Sequence, residues 1–135
     1  EGQESYYAPA IDLLEQAGVV WQLGKVAEAA GAAVVLCLMP AGSTLAAEAA
    51  AVTQAPVLSI PWSDARPAST ALLVQATGSD PALGIATLAI GEAGVKNAAL
   101  AAISLLAGSD PRLASWWADY RAEQTAAVLA ASHLP

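Results

Sequence analysis

Between Ile85 and Gln124 the chain reads IATLAIGEAGVKNAALAAISLLAGSDPRLASWWADYRAEQ, and no other stretch limits the fold so tightly. An apolar run leads into a turn flanked by Gly91 and Gly94, then an Ala-rich helix, a Ser-Asp-Pro break and a second, longer helix. Asp110 can accept hydrogen bonds as an N-cap, and Pro111 suits the first helical position, where its missing N–H costs nothing. Gly108, following Leu105-Leu106-Ala107, is a C-terminal stop for the preceding helix.

The same alternation runs through the rest of the chain. Ala33–Leu38, Val57–Ile60 and Ile85–Ile90 are short, almost wholly apolar runs, which suits parallel strands covered on both faces. Helical segments are expected near Pro9–Ala17, Leu23–Ala30, Leu45–Val52, Ala68–Gln75, Val95–Ala107 and Pro111–Ala131. Strand and helix in alternation predict an α/β fold, a three-layer α/β/α sandwich around a parallel sheet with right-handed crossovers. The loops Ser63–Pro67 and Gly78–Pro81 are ordinary connections. With 135 residues, no internal repeat and no Gly/Ser linker, residues 1–135 read as one domain.

Charge bounds the partners. Hydrophobic residues make up 56% and charged ones 13%, against about 25% charged in an average domain, so surplus apolar surface is expected in subunit contacts. The longest uninterrupted apolar run, Ala32–Met39, is far below the roughly 18 residues of a membrane span. A net charge of −7, with Lys25, Arg66, Lys96, Arg112 and Arg121 scattered, excludes a nucleic-acid groove. Cys37 is the single cysteine, set in an apolar strand, which fits a buried structural thiol and a reducing, cytoplasmic compartment. No signal peptide is visible, and a start on Glu1 instead of Met is what a trimmed or partial chain would give.

The segment Gly91-Glu92-Ala93-Gly94-Val95-Lys96-Asn97-Ala98-Ala99-Leu100 resembles the GxAGxKNAAL core of the PurE family. These are the aminoimidazole ribonucleotide carboxylases and carboxyaminoimidazole ribonucleotide mutases of purine synthesis. Asp110, Pro111, Leu113, Tyr120, Arg121, Glu123 and Gln124 resemble the DPxLxxxxxxYRxEQ pattern that follows it. The resemblance implies a flavodoxin-like fold, an octamer with the long C-terminal helix in its interface, a ribonucleotide ligand and no cofactor.

Three departures qualify what the resemblance implies. The family opens with an apolar strand and a phosphate-holding GSxSD loop; here Gly2 and Ser5 match part of that loop, while Gln3 and Glu4 do not. After Gly18-Val19-Val20-Trp21-Gln22 the family's strand and SAHR segment, about a dozen residues, are absent. Finally, Pro40-Ala41-Gly42-Ser43-Thr44-Leu45-Ala46-Ala47 corresponds to the family's loop with AHLPG, so Thr44 stands at the catalytic His and Ala46-Ala47 replace Pro-Gly. A threonine cannot exchange protons near neutral pH as an imidazole does. Met39 and Pro40 are expected to narrow the space for a base ring.

These residues assign no catalytic group and no metal, since no His, Cys or carboxylate set has ligand spacing. His133, three residues from the end, reads as a solvated tail residue. Ala41, Gly42, Ser43 and Thr44 follow a strand and precede a helix, where ligands bind in open α/β sheets. Ser43 or Thr44 serves equally as N-cap of Leu45–Val52, with Glu48 in its first turn, and the two roles are compatible. Gly91 and Gly94 can cradle an anion or permit tight helix–sheet packing, and Glu92 between them favours packing. Lys96 and Asn97 are candidates for a subunit contact. In the last helix Leu113, Trp117, Tyr120, Gln124 and Val128 form an apolar stripe with Trp116 alongside. Trp116, Trp117 and Tyr120 are therefore expected to pack both on the domain and on a second subunit.

Two functional readings follow. One is a PurE-like protein without the family's mutase activity, an oligomeric nucleotide-binding or accessory subunit beside a biosynthetic enzyme. The other is an active carboxylase or mutase with segments outside this sequence. An unrelated nucleotide-binding module would need a phosphate loop that the chain lacks.

Overall fold

The sheet is built on β2, Val57–Trp62, which pairs in parallel with β1, Val35–Pro40, on one side and β3, Ala86–Thr87, on the other. The computed structural model describes residues 4–63, 72, 74 and 81–132. The helices are α1 (Glu4–Gln16), α2 (Leu45–Val52), α3 (Glu92–Ala107) and α4 (Pro111–Ala131), with 3₁₀ turns at Val26–Gly31 and Pro81–Leu83. Of the helix expected over Ala68–Gln75, only Leu72 and Val74 are among the described residues, and both are helical.

Both faces of the sheet are covered, as the unbroken apolar runs require. Leu38 and Ile60 point to a core shared with Ala10 and Leu14 of α1, Val95, Ala99 and Ile103 of α3 and Leu113 of α4. Cys37, Met39 and Val57 point the opposite way onto Ala46 and Ala49 of α2. The period-two alternation of strand side chains separates the two sets. The three-layer α/β/α arrangement is thus the one expected.

Several boundaries differ from the sequence reading, for identifiable reasons. β1 begins two residues late because its ladder starts where Val35 N–H donates to the Pro56 carbonyl at 2.9 Å. β3 covers two of the six residues expected over Ile85–Ile90. Pro61 lies in β2 and has no N–H to carry the ladder past the Ser59–Thr87 pair. Beyond that point Leu88 N–H donates to Ser59 O and Gly91 N–H to Pro61 O, both at 2.9 Å, so the chain runs alongside β2 without completing a strand. Helix α1 starts at Glu4, with Pro9 inside it and not at its first position. Tertiary contacts from its first turns override the local signal: Tyr6 packs on Trp62 with ring centroids 4.8 Å apart, and Tyr7 reaches β1. Leu23–Ala30 gives only the 3₁₀ turn Val26–Gly31.

The SDP break behaves as read. Asp110 Oδ1 accepts from Arg112 N at 2.9 Å and Leu113 N at 3.3 Å, with Pro111 at the first helical position. Gly108 ends α3 in right-handed geometry, its N–H donating to the Leu105 carbonyl. Only the first half of the α4 stripe packs on the domain. Leu113 is buried and Trp116 and Trp117 are half-buried against the core, but every residue from Arg121 to Ala131 is exposed. Val128 is 66% and Leu129 68% exposed, so the last three turns project from the domain.

Candidate functional site

The carboxyl ends of β1 and β2 meet where Pro40 and Trp62 are register partners. Three helix N-termini converge there: α1 through the Tyr6–Trp62 contact, α2 through the loop Ala41–Thr44 that leaves β1, and α3 through the Gly91–Pro61 hydrogen bond. This is the end of a parallel sheet at which open α/β folds bind ligands. Ser5 and Ala41, Gly42, Ser43 and Thr44 therefore lie at one end of the molecule, although Ser5 sits within α1 and not in a phosphate loop. Gly2 lies outside the described residues, as do Arg66 and His133.

The loop itself is ordered by local bonds. Gly42 takes φ of +81°, a conformation that side chains disfavour, and Ser43 N–H donates to the Pro40 carbonyl at 3.0 Å. Ser43 Oγ accepts from Leu45 N at 3.3 Å, so the capping role falls to Ser43. Thr44 makes no side-chain cap; its Oγ1 donates instead to Glu48 Oε1 at 2.5 Å. A carboxylate thus borders the position where the resemblance sets an imidazole. Met39 does not narrow this end, because it is buried on the α2 face of the sheet. Pro40 is exposed.

On the neighbouring helix, Glu92 is the first residue of α3, not the middle of the loop, and pairs with Lys96 at 3.1 Å on an exposed face. Gly91 has φ of +72°. A Cβ on Gly94 would overlap the Ala89 carbonyl oxygen and come within 3.1 Å of Ile60 Cγ2. The packing reading of this turn therefore holds. Asn97 is exposed beside Lys96.

Two of the described cations, Arg112 and Arg121, are committed elsewhere. Arg112 Nη1 donates to the Ala17 carbonyl at 2.5 Å, tying α4 to the end of α1, a long-range partner that no local pattern signals. Arg121 lies over the Trp117 ring, 5.8 Å from its centroid. Burial pushes the Cys37 thiol up to about 11, which suits the structural role read for it. Burial also raises the Tyr7 hydroxyl, an effect that the hydrogen bond from Leu38 N–H partly offsets and the nearby Cys37 adds to. Among the described residues no group of His, Cys, Asp and Glu is placed to hold a metal ion. No described helix is long and apolar enough to cross a membrane.

Comparison with known proteins follows the same lines. The family model described as AIR carboxylase matches residues 15–127, a span that takes in Ala41–Thr44 and the whole Gly91–Leu100 segment but starts after Gly2 and Ser5. Among curated proteins, the N5-carboxyaminoimidazole ribonucleotide mutase of Pseudomonas aeruginosa is 32% identical over 111 residues. That alignment covers 82% of this chain and 68% of the relative.

Proposed function

The chain belongs to the AIR carboxylase (PurE) family, and we propose that within it this protein is an oligomeric subunit without mutase activity of its own. Family membership makes it a purine-biosynthesis-related protein. The observation that carries the finer reading is Thr44, which stands where the family's catalytic histidine is expected and whose hydroxyl is bonded to Glu48. A threonine hydroxyl does not replace an imidazole as a proton carrier near neutral pH.

Electrostatics support an accessory or structural role over tight nucleotide binding. Glu48 and Glu92 occupy the first turns of α2 and α3, the places where helix N-termini would otherwise favour an anion. A ribonucleotide ligand at Ser5, Ala41, Gly42, Ser43 and Thr44 would meet these carboxylates, with Lys96 already paired to Glu92. Assembly is supported by α4, whose exposed final turns carry Ala126, Ala127, Val128 and Leu129. A free helical end of that length is marginal in water unless another surface covers it. The covering surface in this reading is a second copy, in a homo-oligomer that the family resemblance sets at eight subunits, beside a biosynthetic enzyme partner.

The retained Gly91–Leu100 segment keeps an active carboxylase or mutase as the second reading. Expression of the chain in a purine-requiring strain that lacks its own carboxyaminoimidazole ribonucleotide mutase separates the two. No growth without purine is expected. Rescue by the chain, with production checked by immunoblot in both cases, overturns the non-catalytic reading.

A further inference from the structure

We propose that Arg112 fixes the direction in which the exposed half of α4 leaves the domain, by clamping the first turn of α4 onto the backbone that ends α1. Helix α1 stops in a tight turn. Gly18, at φ of +67°, donates its N–H to the Glu15 carbonyl at 2.9 Å, and Val19 N–H reaches back to the Leu14 carbonyl at 2.8 Å. That turn satisfies Leu14 and Glu15 and leaves the carbonyls of Ala17 and Gly18 to find donors outside the helix. Ala17 is buried, and a buried carbonyl needs a donor.

Arg112 supplies it. Its Nη1 donates to Ala17 O at 2.5 Å and its Nη2 to Gly18 O at 3.4 Å. A guanidinium presents its N–H groups as a rigid fork, so two adjacent carbonyls fix its orientation as well as its position. Its charge also suits the negative end of α1. Asp110 holds the fork from the other side. Its Oδ1 accepts from Arg112 N and Leu113 N, while its Oδ2 lies 3.6 Å from Arg112 Nη2. One carboxylate thus caps α4 and steadies the side chain that binds α1. Gly18 leaves room for the contact, since a Cβ there would come within 3.0 Å of Arg112 Nη1.

The clamp sits at the base of a lever. Helix α4 packs on the domain through Leu113, Trp116 and Trp117, and every residue from Arg121 to Ala131 is exposed. Its 21 residues make a rod about 30 Å long, so a tilt of about 10° at the base moves the far end by about 5 Å. Apolar contacts along one seam are non-directional and resist such rocking weakly. Arg112 precedes Leu113 by one residue, which puts it about 100° around the helix from that seam. A directional bond on this flank, at the base, is placed to stop the rocking. What this does for assembly rests on the reading of α4 as a subunit contact: an arm already held in one direction gives up less freedom when it meets its neighbour.

Spin labels on α2 and α4, placed by Ala51→Cys and Ala130→Cys in a Cys37→Ala chain, read the direction of the arm by double electron–electron resonance. Each labelled chain is diluted into an excess of the same chain without labels, so that every distance arises within one copy. One narrow distance is expected when Arg112 is present. Arg112→Met keeps the aliphatic stem and loses the donors, and it is expected to broaden or displace the distribution by about 5 Å or more. The Arg112 side chain is 58% exposed, so far-UV circular dichroism should stay unchanged. A second readout needs no variant: held in this way, the Arg112 guanidinium turns slowly about Nε–Cζ, and its two Nη groups give separate NMR signals. Sedimentation velocity alongside reads assembly, which Arg112→Met is expected to weaken about tenfold. An unchanged distance distribution in Arg112→Met, or one averaged Nη signal in the unmodified chain, overturns the proposal. A chain that is monomeric at every concentration overturns the assembly reading alone, and the distances still judge the clamp.

Discussion

Thr44 Oγ1 donates to Glu48 Oε1 at 2.5 Å, one helical turn apart at the mouth of α2. The pair binds the hydroxyl that follows β1 to a carboxylate of its own helix, at the carboxyl end of the sheet. Its energetic weight is small, because both side chains are exposed. Thr44→Val is therefore expected to shift stability in urea by no more than about 0.5 kcal/mol. A larger loss would mean that Thr44 holds the loop Ala41–Thr44 together.

Gly94 permits α3 to touch the chain at Ala89. Gly94→Ala drives a methyl group into the Ala89 carbonyl oxygen and against Ile60, which is fully buried. Overpacking at such a site costs about 1–3 kcal/mol, readable as a lower urea midpoint with unchanged slope. Gly91→Ala tests the other requirement of the same turn, its φ of +72°, and is also expected to destabilise.

Cys37 links stability to alkaline pH. Its thiol is raised from 9.0 to about 11 in the fold, so between these values the unfolded chain releases a proton that the folded chain keeps. Stability is then fully present below pH 9 and falls as pH rises toward 11. Tyr7, also raised, acts in the same direction. Thermal melts from pH 8 to 11 should show this decline, and Cys37→Ala should flatten it. An equal decline in the variant would assign the effect to other groups.

How much of this could be read from the residues depends on how local each cause is. The Asp110–Pro111 cap, the Gly91–Gly94 turn and the two-sided apolar strands depend on neighbours in sequence, and they stand as read. The short β3 was readable in principle from Pro61, whose missing N–H stops the ladder, but that needs the pairing register. The early start of α1 rests on Tyr6 against Trp62 and Tyr7 against Leu38, both long-range. Arg112 binding the Ala17 carbonyl is equally invisible to pattern. At the candidate site the loop Ala41–Thr44 was placed correctly after β1, whereas the Thr44–Glu48 bond and the inward turn of Met39 came only with the fold.

Trp117 reads the assembly at α4. Its ring stacks near Tyr120, with centroids 6.0 Å apart, and stays half-buried in the single chain. Trp117→Ala is expected to weaken self-association by roughly tenfold or more, as loss of an aromatic anchor does, while α4 keeps its helicity because alanine is the better helix former. Sedimentation velocity with circular dichroism measures both. Unchanged assembly would remove the aromatic cluster from the interface.

The most direct test of the central claim is turnover. The purified chain is mixed with aminoimidazole ribonucleotide and bicarbonate, and separately with the carboxyamino isomer, and product is followed by absorbance. With Thr44 at the histidine position and no segment matching SAHR, no rate above background is expected, in the unmodified chain or in T44H. Turnover by the unmodified chain in the ordinary enzyme range of about 1–10³ per second would contradict the account.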